Sequence, residues 1–191
     1  MNFSKYSDKL LYSAFNQTCD CVIFTNKRGF YVYKLEPFKK IISRRIEGGV
    51  SIAKMLYKSN IITFVGNVKK GMYPNNKLII WDDNKVEVIG EISFKHPILD
   101  IHLSKDIIVV ILEMKIFLYN FKNLSVIKVI NTSQNKLGLC SVRFGENSFI
   151  LFPDMDIGKI QILDYKNNES KIIDAHTSEL SLFTMDKCAR Y

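Results

Sequence analysis

The residues that could bind a metal ion are few and lie far apart in this chain of 191 residues. A structural zinc site uses cysteine pairs with CxxC-type spacing, whereas the four cysteines here form one CxC pair, Cys19-Asp-Cys21, and two isolated residues. Cys19 and Cys21 would share one face of an alternating strand, so we interpret them as small buried side chains rather than as ligands. The cysteines therefore predict reduced thiols and no metal site.

The residues typical of catalysis also lack a recognisable arrangement. The three histidines show neither HxxxH nor HExxH spacing, and the sequence contains no Gly-x-Ser-x-Gly elbow and no Gly-x-x-x-x-Gly-Lys phosphate loop. The acidic pairs Asp82-Asp83 and Asp154-Met-Asp156 follow predicted strands or fall in turns, where Asp is favoured for local hydrogen bonding. We therefore expect a protein that is not an enzyme and that has no cofactor.

Composition and charge limit the classes of partner. The hydrophobic fraction of 47% is enough for a folded core, and the net charge of +8 allows an anionic partner such as a membrane surface, a phosphorylated lipid or nucleic acid. The alternative is that the lysines cover solvent faces and strand edges. The sequence has no run of five basic residues and no aromatic–basic pattern of the RNA-recognition type, so we expect no nucleic-acid partner.

No segment of the sequence predicts insertion into a membrane. No apolar run reaches the roughly 18 residues that a membrane-spanning helix needs. The polar N-terminus predicts no signal peptide. We therefore expect a cytoplasmic protein.

Short apolar segments separated by turn residues recur through the chain. Leu78-Ile-Ile-Trp81, followed by two aspartates, predicts a buried strand that ends at a turn. Similar segments end at Tyr33, Tyr119 and Leu163. Their spacing of roughly 40 residues is the period of a four-stranded propeller blade.

This period predicts an all-β fold: one β-propeller domain of four-stranded, WD40-like blades over residues 1–191. The repeats span residues 10–47, 50–95, 97–133 and 138–175, with a partial repeat at 179–191. The second repeat is interrupted by residues 66–76, whose Gly, Pro and Asn residues predict an exposed basic loop. Propellers close into rings of roughly 4 to 8 blades. We expect four blades and the start of a fifth to be the truncated first part of a longer propeller, and the alternative is a closed ring of four blades.

A colinear series of short segments resembles one known family. The longest is Tyr73-Pro-Asn-Asn-Lys-Leu-Ile-Ile-Trp-Asp-Asp83, and the others are 15–17, 29–30, 32–33, 36–38, 48–50, 55–56, 90–91, 107–113, 115–116, 119–121, 138–140 and 175–178. Together and in this order they are similar to the PROPPIN family, the seven-bladed propellers that bind phosphoinositides and act in autophagy. The chain resembles the N-terminal portion of such a propeller.

The resemblance implies lipid-dependent recruitment to membranes. Members of the family bind phosphatidylinositol 3-phosphate and 3,5-bisphosphate at two pockets that share the arginines of a Phe/Leu-Arg-Arg-Gly motif. This chain lacks the motif, and Ser43-Arg-Arg-Ile46 lies in the first repeat among different neighbours, so we interpret it as solvated charge on a strand edge. His176 resembles a histidine of the first pocket; the alternative is a turn residue between repeats.

The resemblance also implies a protein partner, a large autophagy lipid-transfer protein that docks on the first blades. A turn in the first repeat and the basic loop of the second repeat are the predicted contacts. Their residues are Asn16, Gln17 and Thr18 in the turn and Lys69, Lys70, Tyr73 and Pro74 in the loop. Relatives often carry Asp in place of Thr18, and the alternative for the loop is a tolerated surface insertion.

Two functions follow as hypotheses. The first is a non-catalytic phosphoinositide effector that is cytoplasmic and peripheral on autophagic, endosomal or vacuolar membranes, and that also serves as a scaffold for a partner protein. The alternative is a WD-repeat-type scaffold that binds protein only, because the Arg-Arg lipid motif is not in this chain.

Overall fold

The computed structural model describes residues 9–145 and 148–185. Within these ranges it contains sixteen strands and no helix. This confirms the all-β prediction. The described part of the chain accordingly contains no helix that is long and apolar enough to cross a bilayer.

The strands form four sheets of four strands, and in each sheet the strands lie side by side in chain order. The first sheet contains β1 (Tyr12–Phe15), β2 (Cys21–Asn26), β3 (Gly29–Lys34) and β4 (Lys39–Arg45). The second contains β5 (Val50–Met55), β6 (Ile61–Gly66), β7 (Lys77–Asp82) and β8 (Glu87–Ser93). The third contains β9 (Asp100–Leu103), β10 (Ile107–Ile111), β11 (Lys115–Asn120) and β12 (Val126–Asn131). The fourth contains β13 (Ser141–Arg143), β14 (Phe149–Pro153), β15 (Lys159–Asp164) and β16 (Glu169–Asp174).

The third strand of each sheet carries the residue whose spacing predicted the repeat. Trp81 lies in β7, where five of the six residues are buried. Tyr33, Tyr119 and Leu163 lie in β3, β11 and β15. Each sheet therefore corresponds to one four-stranded blade.

The described residues divide after Leu103 into two compact units. In the first unit the core is centred on Phe64, which has no exposed surface. Its ring centroid lies 5.9 Å from that of Phe30, 5.3 Å from that of Tyr73 and 6.4 Å from that of Trp81. Aromatic rings at these separations add favourable edge-to-face contacts to the burial of apolar surface.

The second unit has its own apolar core. Aliphatic side chains of β10, β11 and β12 form one part of it, and side chains of β14 and β15 form the other. The buried members are Val109, Ile111, Ile116, Leu118, Ile130, Ile150, Phe152 and Leu163. Each unit thus has its own cluster of buried apolar side chains.

The structure corrects the interpretation of the CxC pair. Cys21 is buried at the start of β2, but Cys19 is exposed and lies in the preceding turn with φ +57°. The two thiols therefore do not share a strand face. The reason is that the side chain of Asn16 binds the turn backbone and delays the start of the strand until Cys21.

The Arg44-Arg45 pair is also only partly solvated. Arg44 donates two hydrogen bonds to the carboxylate of Asp83, from Nε at 2.7 Å and from Nη2 at 3.1 Å. The side chain of Asp83 is only 11% exposed. The interpretation as solvated charge is therefore wrong for Arg44, because the neighbouring blade supplies its carboxylate, whereas Arg45 is exposed.

Candidate functional site

The side chain of Asn16 organises the turn between β1 and β2. Asn16 is 3% exposed, and its Oδ1 accepts hydrogen bonds from the main-chain N–H groups of Asp20 and Cys21, both at 3.1 Å. Its Nδ2 donates to Oδ1 of Asp20 at 2.7 Å and to the carbonyl of Tyr57 at 3.3 Å. A buried amide with these partners stabilises the turn.

The side chain of Gln17 connects the first strands of three blades. Its Nε2 donates to the carbonyl oxygens of Met55 at 2.9 Å and Leu103 at 3.1 Å. Its Oε1 accepts from the main-chain N–H of Tyr57 at 2.6 Å. All four residues belong to the first compact unit. The amide that was predicted to contact a partner is therefore engaged within the fold.

Thr18 is the exposed residue of the three predicted in this turn. Its hydroxyl donates to Oδ1 of Asp20 at 2.8 Å, and Lys58 forms an ion pair with the same carboxylate group. The hydrogen bonds from Lys58 and Asn16 hold the pKa of Asp20 well below its usual range. The turn therefore carries a charged carboxylate at Asp20.

Replacing Gln17 with alanine is expected to lower the free energy of unfolding by about 2 kcal/mol, because the main-chain groups that it satisfies would lose their partner. Urea unfolding followed by the fluorescence of Trp81, the only tryptophan, measures the change.

Thr18→Ala is the matched control for the Gln17 variant. Its hydroxyl is exposed and bonds only within the turn, so the expected change in stability is below about 0.5 kcal/mol. Equal stability of the Gln17 variant and the wild type would show that the three hydrogen bonds of Gln17 contribute nothing.

The predicted basic loop, residues 66–76, is exposed only at its tip. Lys69, Lys70 and Met72 are exposed, and Met72 reaches 72%. Tyr73 turns back, and its ring packs edge-on against Phe64. The prediction of an exposed loop is therefore correct for the tip and wrong for Tyr73, because the phenol ring completes the aromatic core.

The base of this loop is held by main-chain contacts. The N–H of Asn75 donates to the carbonyl of Val68 at 2.7 Å, and Val68 and Pro74 form an isolated bridge. The carbonyl oxygen of Tyr73 lies so close to Gly66 that a Cβ at that position would be 1.6 Å away. Only glycine permits this approach.

The two predicted contact segments lie at opposite ends of β5. The strand begins next to Gly49, whose carbonyl accepts from the N–H of Asn67 in the basic loop. It ends at Met55, whose carbonyl accepts from Gln17 in the turn. Six residues at roughly 3.3 Å each separate the two segments by about 20 Å. They therefore do not form one continuous patch.

His176 lies in the segment after β16 and is exposed. Its main-chain N–H donates to the carbonyl of Gly158 at 2.9 Å, and its Nδ1 accepts from the N–H of Ser178 at 3.1 Å. Gly158 has φ +77°, and a Cβ there would lie 1.9 Å from the carbonyl oxygen of His176. His176 thus lies in a tight turn, and its imidazole is accessible to solvent.

The sequence patterns missed a polar cluster on β1, β5 and β9. The hydroxyl of Tyr12 donates to Oδ1 of Asp100 at 2.9 Å, and Nζ of Lys54 lies 3.6 Å from the same oxygen. Nε2 of His102 lies 3.6 Å from Oδ2. Burial and the nearby carboxylate raise the pKa of Tyr12 well above its usual value. The signal in the sequence that could have indicated this cluster is the presence of polar residues within the otherwise apolar first strands of the blades.

Among residues 9–145 and 148–185, no group of three or more His, Cys, Asp or Glu side chains is placed to hold a metal ion. The candidate contacts are instead a turn, a loop tip and an exposed imidazole, which suit binding to other molecules.

The blades have four strands in chain order, and the anchor residue lies in the third strand of each blade. These features define a β-propeller of the WD-repeat type. The PROPPIN family model matches residues 10–189, and the chain belongs to that family.

Individual relatives agree with this assignment. Autophagy-related protein 18e of Arabidopsis thaliana is 38% identical over 181 residues, which cover 93% of this chain and 48% of that protein. SVP1-like protein 2 of Schizosaccharomyces pombe is 34% identical over 90% of this chain and 48% of its own length. The chain thus spans about half the length of the curated relatives that it matches.

Solved structures show the same fold. Hsv2 of Kluyveromyces lactis superposes with a TM-score of 0.76 at 23% identity, covering 92% of this chain and 53% of that one. KlAtg21, solved in complex with the coiled coil of AgAtg16, gives a TM-score of 0.75 at 21% identity over 91% of this chain and 58% of that one.

Proposed function

We propose that this chain is part of a non-catalytic phosphoinositide effector of autophagy, which is recruited from the cytoplasm to autophagic, endosomal or vacuolar membranes. The family match across residues 10–189 carries the proposal. The names of the autophagy-related relatives give it further support. The proposed ligands are phosphatidylinositol 3-phosphate and 3,5-bisphosphate.

His176 is the proposed contribution of this chain to a lipid pocket. Its imidazole is exposed, and its main chain is fixed by Gly158. Because Nδ1 accepts from the N–H of Ser178, Nε2 is the ring nitrogen that can donate a hydrogen bond to a phosphate oxygen. The resemblance implies that most of the lipid affinity comes from the two arginines of the Phe/Leu-Arg-Arg-Gly motif, which this chain lacks.

Liposome flotation of the protein at its natural length tests the lipid function. We expect the protein to float with liposomes that contain phosphatidylinositol 3-phosphate or 3,5-bisphosphate and to remain in solution with unphosphorylated phosphatidylinositol. A protein that ignores all 3-phosphorylated lipids would contradict the proposal.

The same protein is proposed to be a scaffold for a partner protein, an autophagy lipid-transfer protein. The exposed tip of the basic loop and Thr18 are the accessible parts of the predicted contacts. The neighbour KlAtg21, which binds a coiled coil, supports protein binding by this fold. We expect the Lys69→Ala/Lys70→Ala variant to lose binding to the partner in an assay with purified proteins.

A scaffold without lipid binding is the second candidate. The observation that favours it is the lack of a Phe/Leu-Arg-Arg-Gly motif in these 191 residues. The one Arg-Arg pair does not replace that motif, because Asp83 already binds the guanidinium of Arg44. Partner binding that persists without any lipid, together with negative flotation, would favour this function.

A further inference from the structure

One end of the first two blades is formed by four chain segments that touch one another. These are the turn 27–28, the connection 46–49, the loop 67–76 and the connection 94–99. Main-chain hydrogen bonds link them. The N–H of Ile46 donates to the carbonyl of Arg28, and the N–H of Asn67 donates to the carbonyl of Gly49. The N–H of Ile98 donates to the carbonyl of Asn75. We refer to these segments, together with Arg45 at the end of β4, as the basic end.

The close approach of the backbone makes the basic end compact. A Cβ on Gly49 would lie 2.7 Å from the Cα atom of Lys27, and a Cβ on Gly48 would lie 3.2 Å from the methyl groups of Val68. The turn and the basic loop therefore border the same connection. The side chains that project from all three segments share one surface.

The charge of this end is strongly asymmetric. Its four segments contain five cations and one carboxylate; they are Lys27, Arg28, Lys69, Lys70 and Lys95, with Glu47. The connecting segments at the opposite end of the same two blades contain two cations and three carboxylates; they are Lys58 and Lys85, with Asp20, Glu36 and Asp83. The overall basic composition therefore does not explain the difference.

The cations of the basic end are exposed, and so is Arg45. Among the ion pairs of residues 9–145 and 148–185, none joins Lys27, Arg45, Lys69, Lys70 or Lys95 to a carboxylate. Like charges on one end of the same two blades repel one another, so an anionic partner would relieve the repulsion.

The basic end is concave on the side of the first blade. Lys27, Arg28, Arg45, Ile46, Glu47 and Gly48 line an open cleft of about 370 Å³. Guanidinium groups bind carboxylates through paired hydrogen bonds, and a cleft admits individual side chains of a polypeptide. The five cations and one carboxylate of the four segments of the basic end are complementary in charge to an acidic polypeptide, which favours such a segment as the occupant.

We propose that the basic end docks an extended acidic segment, rich in Asp and Glu, of a partner protein. Arg45 and Lys27 bind carboxylates in the cleft, Lys69 and Lys70 bind those that follow, and Met72 supplies an apolar contact at the rim. This inference rests on the proposed scaffold function and extends its contact surface from the loop tip to the first blade.

The test uses the whole 191-residue chain and a fluorescent synthetic peptide of repeated Glu-Asp-Ser-Gly units with a central benzoylphenylalanine cross-linker. Arg45→Glu/Lys69→Glu is expected to weaken peptide binding by at least about tenfold, because two attractive charges become repulsive. The matched control, Lys34→Glu/Lys39→Glu, makes the same change of net charge at the opposite end. Its affinity is expected to stay within about twofold of the wild type.

Cross-links mapped by mass spectrometry are expected in residues 27–28, 45–48 and 68–72. Equal weakening by both double variants, or cross-links mainly at the opposite end, would overturn the proposal. Phosphatidylserine vesicles are the second probe: if they bind with the same dependence on Arg45 and Lys69 while the peptide does not, the surface recognises membranes and the proposal is wrong. Urea unfolding of each variant verifies that it is folded.

The outcome is separable from that of the proposed function. The scaffold function is tested with the whole partner protein, and the lipid function by flotation. Partner binding that needs Lys69 and Lys70, combined with no peptide binding, would uphold the scaffold and reject the acidic segment. A wild-type protein that does not bind the whole partner would reject the scaffold itself.

Discussion

Replacing Phe64 with alanine is expected to lower the free energy of unfolding by about 3–5 kcal/mol. The side chain is fully buried and touches three other aromatic rings, so its removal leaves a cavity lined by Phe30, Tyr73 and Trp81. The surrounding blades can collapse into this space only partly. Urea unfolding followed by the fluorescence of Trp81 measures the loss directly, because this tryptophan lies in the same cluster.

Phe15→Ala provides the matched control for Phe64→Ala. Phe15 is 61% exposed at the end of β1, so the same chemical change is expected to cost about 0.5 kcal/mol or less. Similar losses in the two variants would contradict the assignment of the core to the aromatic cluster around Phe64.

Replacing Gly66 with alanine is expected to cost about 3 kcal/mol and to release the basic loop. The new Cβ would lie 1.6 Å from the carbonyl oxygen of Tyr73, and main-chain atoms cannot move aside as a flexible side chain can. Relief requires Tyr73 to move outward, which removes its ring from Phe64. Unfolding by urea measures the cost, and cleavage by trypsin at Lys69 and Lys70 under native conditions measures the release of the loop.

Met72→Ala is the control for Gly66→Ala. It alters the exposed tip of the same loop and is expected to leave both stability and trypsin cleavage close to those of the wild type. A Gly66 variant that unfolds like the wild type would show that the loop can repack without cost.

Alternating apolar patterns were sufficient to locate most strands. The segment 78–81 was predicted as a buried strand, and β7 spans Lys77–Asp82. The first repeat was predicted over residues 10–47, and its first strand already ends at Phe15, because the polar side chains of Asn16 and Gln17 bind backbone groups of the turn and of neighbouring strands. Local pattern therefore predicts where a strand lies better than where it ends.

Residues 180–185, which belong to the predicted partial repeat at 179–191, form no strand. A strand is stabilised by hydrogen bonds from a neighbour, and an apolar pattern alone does not supply them. The rest of that predicted repeat, residues 186–191, lies outside the described residues.

The candidate contacts were predictable as segments but not as atoms. The sequence indicated the turn and the loop, yet the hydrogen bonds from Gln17 to Met55 and Leu103 join residues far apart in the chain. The ring contact between Tyr73 and Phe64 likewise depends on a turn within the loop. The exposure of Lys69, Lys70 and Thr18 follows from such contacts between elements, which a single sequence does not encode as a pattern.

The separation of the turn and the basic loop by the length of β5 has a consequence for avidity. If the turn and the basic loop each bind a ligand as proposed, the two ligands are far enough apart to bind at the same time without competing. If both ligands belong to one polypeptide, a tether of about 20 Å is the shortest that lets it reach both sites. Binding at the first site then raises the effective concentration at the second, and tethers that are shorter or much longer lose this advantage.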